Sequence, residues 1–300
     1  MHIRLALLGL VALVAACAAP GPAPTPSPTS SASASLSATP APSPSPAAGL
    51  YLRAWQTQAL PPEHTLSWLP TLTISGNVAI DGNVAIPMIF PGPLMIMPNA
   101  RQISPQGQAS IVELARQLGL LDGATDFTEG GLMPGGMTAH VLLTIDGQTV
   151  ELVGDPNATG RCAPGDMRCP AEPATAEAFA FFWARLSYLD DWLGHELSGP
   201  LSYQPERLVV VTTPPSPMDV PLTPAAWPLD VPLADFGEPW AIEGSRCAVV
   251  EGEQLETLLP ALLAANQATV FVDTADESRA ILARVLVPGE PSPCHGAAAS

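Results

Sequence analysis

Apolar and polar positions alternate with two periods along the chain, and the switch between them predicts its elements. "TLTISGNVAIDGNVAIPM" (Thr71 to Met88) is rich in β-branched residues, and its repeated NVAI flanks Asp81-Gly82, which predicts a hairpin at that dipeptide. "MIFPGPLMIMPN" follows and carries too much proline for a central strand. Ser104 and Pro105 then read as the N-cap and first residue of a helix. Its stripe is Ile111, Leu114, Ala115 and Leu118, and Gly119 is placed to end it. "AHVLLTIDGQTVELV" predicts a second hairpin about Asp146-Gly147. From about Thr175 to Leu193, Phe179, Phe182, Trp183, Leu186, Leu189 and Leu193 fill one wide helical face, so this helix is expected to be central and well buried.

Beyond it, "RLVVVTT" (Arg207 to Thr213) reads as a short buried strand, and a proline-punctuated crossing leads to "RCAVV". Leu255, Leu258, Leu259, Leu262 and Leu263 mark a third helix, kinked or restarted at Pro260. Strands near "ATVFVD" and "AILARVLVP" close the chain. There is no regular βαβ alternation. The expected fold is α+β, mostly antiparallel strands and hairpins packed with about three helices. The folding part is 49–300, with two subdomains conceivable that meet near 157–171.

The N-terminus has a different pattern. Arg4 precedes an apolar core of about ten residues, Leu5 to Val14, too short to span a bilayer, which takes about 20. "VAAC" then resembles the bacterial lipobox, which implies a lipoprotein signal peptide over 1–16, cleavage before Cys17 and diacylation of that cysteine. Residues 17–48 are Pro/Ser/Ala-rich, uncharged and nearly without large side chains, and are expected to stay a disordered tether. In polyproline II this tether would reach on the order of 90 Å. The expected address is the extracytoplasmic face of the cell membrane, held by the lipid.

Charge narrows the function classes. The formal charge is −17, and loss of Arg4 leaves 10 Arg against 28 Asp plus Glu, or −18. Nucleic acid and anionic headgroups are unsuitable partners for such a chain. All its basic residues are Arg; without Lys there is no P-loop phosphate contact, Schiff base or PLP attachment. No cofactor is called for.

With Cys17 assigned to lipid, Cys162, Cys169, Cys247 and Cys294 remain, an even set in an exported chain. Three pairings exist. Pro164-Gly165 in "CAPGDMRC" favours local closure of Cys162 with Cys169, leaving Cys247 with Cys294. The rival is a four-cysteine zinc site, for which no CxxC spacing is present.

The stretches "LTISGNVAIDGNVAI…FPGPL…RQISPQGQASIVELARQLGLL", "WPLDVPLADFGEP" and "CAVVEGEQLETLLPALLAANQ…ILARVLVPGEPSPC" resemble a family of secreted proteins and lipoproteins from Actinobacteria and Chloroflexi, over most of 66–294. In that family a strand with a Gly-Asp-Gly-like turn precedes a Tyr-Pro-Gly-Pro-like stretch and a helix. Here Asp81-Gly82 lies at the turn and Phe90 at the aromatic position. The family has no established activity. The resemblance implies export, an intact fold and a Cys247–Cys294 bridge, and contributes no catalytic residue.

The remaining constellations are weak. "GHELSG" lacks the second His of HExxH, so His195 reads as a helix C-terminal cap. No GxSxG elbow is present. His140 lies in a strand pattern and reads as structural. Asp190-Asp191 solvate the far side of a helix, and "VDTADES" reads as a hairpin turn, not a calcium loop. Met88, Met95, Met97, Met133 and Met137 with His140 could suit Cu(I), or fill gaps beneath proline-rich loops. The expectation is therefore a lipid-anchored, non-enzymatic domain that binds a protein, glycan or small ligand outside the membrane. The alternatives are a hydrolase of unrecognised type and a Met/His copper-handling protein.

Overall fold

The structure is a computed structural model that describes residues 49–61, 64, 66–85, 89–128, 136–158, 175–217 and 220–295. Cys17, Cys162, Cys169, Met88 and Met133 lie outside the described residues. Among those described, the chain forms two mostly antiparallel sheets and four helices, the expected α+β class.

The first sheet has eight strands: β1 (Tyr51–Thr57), β2 (Leu72–Ser75), β3 (Val78–Asp81), β4 (Asn99–Ile103), β5 (Asp126–Phe127), β6 (Thr138–Ile145), β7 (Gln148–Gly154) and β8 (Leu197–Leu201), in the order β5-β7-β6-β1-β2-β3-β4-β8. Only the β5–β7 pair is parallel. One face carries α1 (Pro105–Gln117) and α2 (Ala176–Ser187). Between them lie Leu52, Ala54, Leu72, Ile74, Ile111, Ala115, Phe179 and Phe182, all buried.

Local chemistry sets the limits of α1. The Ser104 hydroxyl accepts the Gly107 N–H at 3.0 Å. At the other end the Leu120 N–H reaches Ala115 O at 3.0 Å and the Gly119 N–H reaches Arg116 O at 2.9 Å. This double closure, with Leu120 and Ala115 both buried, is the Schellman arrangement. The second expected hairpin is also present, with Asp146 at φ 51° and Gly147 at φ 80° between β6 and β7.

Two elements depart from the sequence expectation. The first hairpin turns at Gly76-Asn77, not at Asp81-Gly82, and Ser75 pairs with Val78 across it. Gly76 takes φ 60° at the first central position, where the turn follows the twist of the strands without a Cβ penalty. Asp81 instead ends β3: its carboxylate accepts the Asn83 N–H at 2.8 Å and bends the chain out of the sheet. The first NVAI thus supplies β3, while the described residues 83–85 of the second lie outside any strand. The expected helix over 175–193 is also divided. Tyr188 leaves helical space at φ −137°, ψ 63°, and α3 (Asp190–Leu193) follows as a separate turn. The break is chemically satisfied, because Trp192 Nε1–H donates to Arg185 O at 2.9 Å and the Ser187 hydroxyl donates to Trp183 O at 3.0 Å.

The second sheet has six strands: β9 (Arg207–Thr213), β10 (Thr223–Ala226), β11 (Glu238–Pro239), β12 (Arg246–Glu251), β13 (Thr269–Val272) and β14 (Ser278–Leu286), ordered β10-β13-β14-β9-β12-β11. The chain thus changes sheet between Leu201 and Arg207. Phe179, Phe182, Trp183 and Leu186 of α2 lie in the first core. The central β9 is buried on both faces. Leu208 and Val210 meet α4 (Gly252–Ala264) through Leu255, Leu258 and Leu262, while Val209 and Val211 meet Leu66 and the Cys247–Cys294 disulfide. This is why "RLVVVTT" has an unbroken apolar run. The helix α4 continues through Pro260, and Leu263 of the expected stripe stays exposed.

Segments of the first half complete the second. Met95 is buried in the second core and Leu66 under β9. The Leu94 N–H donates to Ala265 O at 3.1 Å, and the Gln267 N–H to Gly92 O at 2.9 Å. The Tyr51 hydroxyl donates to Pro288 O at 2.9 Å, which ties β1 to the turn after β14.

Candidate ligand-binding site

That junction holds the most chemically specific feature of the described residues. Because β1 alternates, Leu52 and Ala54 point to the helices while Tyr51, Arg53, Trp55 and Thr57 project from the opposite face. The Arg53 guanidinium lies 4.4 Å from the centre of the Trp55 ring, and Trp55 stacks on His140 across the strand pair, centroids 5.0 Å apart. One ring nitrogen of His140 is 3.1 Å from Glu151 Oε1 and the other is 3.0 Å from Thr57 Oγ1.

Facing this row is the turn after β14. The Arg53 Nη1–H donates to Gly289 O at 3.1 Å. Gly289 has φ 73°, and a Cβ there would lie 2.3 Å from the Tyr51 hydroxyl, so the close approach needs glycine. Arg284 and Glu290 form a buried two-pronged ion pair, at 2.6 Å and 3.0 Å. Glu290 Oε2 also accepts the Val287 N–H at 3.1 Å, and the Glu290 carbonyl accepts from Arg207 at 2.7 Å.

Between the two rows is a cleft of about 300 Å³, walled by Trp55 and Trp68 with Pro70, Pro291 and Pro293. This is the small end of the ligand-pocket range, about 300–1,000 Å³, and junctions between structural units are where such pockets form. Of the three charged groups in its described lining, Arg284 and Glu290 neutralise each other. Arg53 has no ion-pair partner among the described residues, and its Nε is buried without an acceptor. The two nearby phenols stay neutral donors: burial foremost raises Tyr51, and burial, then Glu206 and Glu290, push Tyr203 up to about 12.

Two other concavities are less specific. A broad groove of about 790 Å³ runs along the solvent side of α1 to Trp192, past residues such as Gln106, Glu113 and Arg116. Glu113 and Arg116 are spent on one another there. A recess of about 280 Å³ beneath Tyr188 holds Asp81, Arg101 and Asp190, of which Arg101 and Asp190 are already paired.

The residues singled out from sequence are placed as follows. Cys247 and Cys294 are bonded, Cα atoms 5.4 Å apart, and the bridge pins the segment that supplies Pro291 and Pro293 to the cleft. His195 sits in the 3-10 turn after α3, 3.2 Å from Glu196. Asp190 pairs with Arg101. Asp273 accepts the backbone N–H groups of Leu233, Ala275 and Glu277, which hold its carboxyl below the usual range, the bond from Leu233 foremost. Met95 and Met97 pack into the second core, whereas His140 stands on β6 of the first sheet. Sequence reasoning passed over Arg53, Trp55 and Trp68. For Arg53 and Trp55 the signal is the alternation in "YLRAWQT", which puts both on one strand face, but it does not reveal what covers that face.

No protein-family model, no curated protein and no solved structure matches the chain. No helix among the described residues is long and apolar enough to cross a membrane.

Proposed function

We propose that the chain is an exported lipoprotein, anchored through Cys17 at the extracytoplasmic face of the cell membrane, that displays a non-enzymatic binding domain with the junction cleft as its ligand site. The observation that carries this reading is Arg53, a buried cation without a counter-ion among the described residues, in a cleft walled by tryptophan. Burying a charge without a partner is costly, and a ligand that supplies the partner offsets that cost. The anchor rests on "VAAC" and the uncharged segment behind it. To test the reading, the processed protein in detergent is titrated with fractions of its own cell-surface extract while tryptophan fluorescence is followed. A saturable response to at least one fraction, lost in Trp68→Ala at unchanged melting temperature, is expected. No response, or one indifferent to Trp68, defeats the reading.

One observation favours a second reading, a hydrolase. Glu151, His140 and Thr57 make the carboxylate–imidazole–hydroxyl order of a nucleophilic relay at hydrogen-bond distances. Thr57 and Glu151 are both exposed, however, so water competes for the groups such a relay would shield. Activated-ester hydrolysis that disappears in both Thr57→Val and His140→Gln would favour this reading over the first.

A further inference from the structure

We propose that the cleft takes a carboxylate borne on a six-membered ring, with the Arg53 guanidinium as its counter-ion; this rests on the cleft being the ligand site, as argued above. Arg53 is 8% exposed, lines the cleft, and uses Nη1 on the Gly289 carbonyl. Its Nε has no acceptor among the described residues. The other charges of its described lining, Arg284 and Glu290, are closed into their own ion pair, so that lining keeps one net positive charge within a chain of −17. A guanidinium is a planar fork that fits a carboxylate, and Trp55 beneath it at 4.4 Å holds that plane before any ligand arrives. Preorganisation of this kind lowers the entropic cost of binding.

The walls select the body of the ligand. Trp68, Pro70, Pro291 and Pro293 offer flat apolar surfaces, and a volume of about 300 Å³ admits a ring, not a folded chain. Gln56, Thr57 and Ser292 at the same cleft are neutral hydrogen-bonding partners suited to ring substituents. Both a carboxylated pyranose and an aromatic acid have this shared chemistry. A purely structural Arg53, clamping β1 to Gly289, would show no preference for acids.

The discriminating experiment is calorimetric titration of the full processed protein in detergent with D-glucuronate, benzoate and their uncharged counterparts, D-glucose and benzamide. At least one acid is expected to bind saturably, about tenfold or more tighter than its uncharged counterpart, the margin expected of one charge-assisted hydrogen bond. Which acid binds identifies the ring. Arg53→Lys should weaken it by about tenfold, because the ammonium keeps the charge but loses the fork, and Arg53→Met should erase the preference for acid. If Arg53→Met does not fold, Arg53→Lys and the acid-against-neutral comparison still decide. Failure of both acids, equal binding of acid and neutral counterpart, or indifference to Arg53→Lys overturns the proposal. A Trp68-dependent fluorescence response to surface fractions that survives any of those results leaves the binding domain standing; its loss removes both.

Discussion

At the scale of single residues, Asp81 shows how a carboxylate can mark a turn and still destabilise. Burial, the foremost cause, raises its carboxyl above the ordinary 3.8, against the lowering effects of the Asn83 N–H and Arg101. The folded state therefore favours the protonated form. Its contribution is fully present below the ordinary value and lost as pH rises through the raised one. Asp81→Asn keeps an acceptor for the Asn83 N–H and carries no charge. At neutral pH the variant should be the more stable, by no more than about 1 kcal/mol once solvent screening is discounted, and the gap should close below about pH 4. Urea melts across that range check it; a constant gap, or a less stable variant at pH 7, refutes the account. The same residue accounts for the difference between the expected and the observed hairpin. Asp-Gly is a turn signal in both locations, but at Asp81 the side chain turns the chain out of the sheet while Gly76 turns it back.

Element by element, legibility followed periodicity. The caps and stripe of α1, the hairpin at Asp146-Gly147 and the buried run of β9 were readable because each is decided within a dozen residues. The break at Tyr188 was not, because Phe179 through Leu193 keep one helical stripe and the interruption is settled by side-chain hydrogen bonds from Trp192 and Ser187 to nearby carbonyls, which an apolar period does not record. The cleft was unreadable for a related reason: Arg53 and Glu290 lie far apart in sequence, and nothing local says that β1 faces the turn after β14. The Cys247–Cys294 bridge joins two further distant points, 47 residues apart, behind β9. On the chain-entropy model, closing such a loop stabilises by about 4 kcal/mol. Cys294→Ser should therefore lower the melting temperature markedly, and more than Cys169→Ser if Cys169 closes the short loop to Cys162 expected from sequence. Calorimetric melts that rank the two variants the other way would reverse the pairing argument.

For the whole molecule, the decisive residue is the one nearest the chain's start. If "VAAC" is processed as a lipobox, Cys17→Ser should leave the precursor uncut or move the protein from the detergent phase to the aqueous phase, with the folded part unaltered. Phase partitioning and the mass of the N-terminal peptide measure both outcomes; unchanged partitioning removes the anchor from the proposal. The strong negative charge suits such display, because it discourages collapse onto an anionic surface.

The position of β1 has a mechanical consequence. It follows within a few residues of the Pro/Ser/Ala-rich segment, lies inside the eight-stranded sheet between β6 and β2, and carries Arg53, Trp55 and Thr57 of the cleft. Under the proposed anchoring, grip and leash are on one strand. A pull between a held ligand and the membrane runs lengthwise along β1 and loads both antiparallel ladders in shear, so their hydrogen bonds resist together instead of unzipping one after another. Leu52 and Ala54 seat the same strand in the first core, so that packing shares the load with the two ladders.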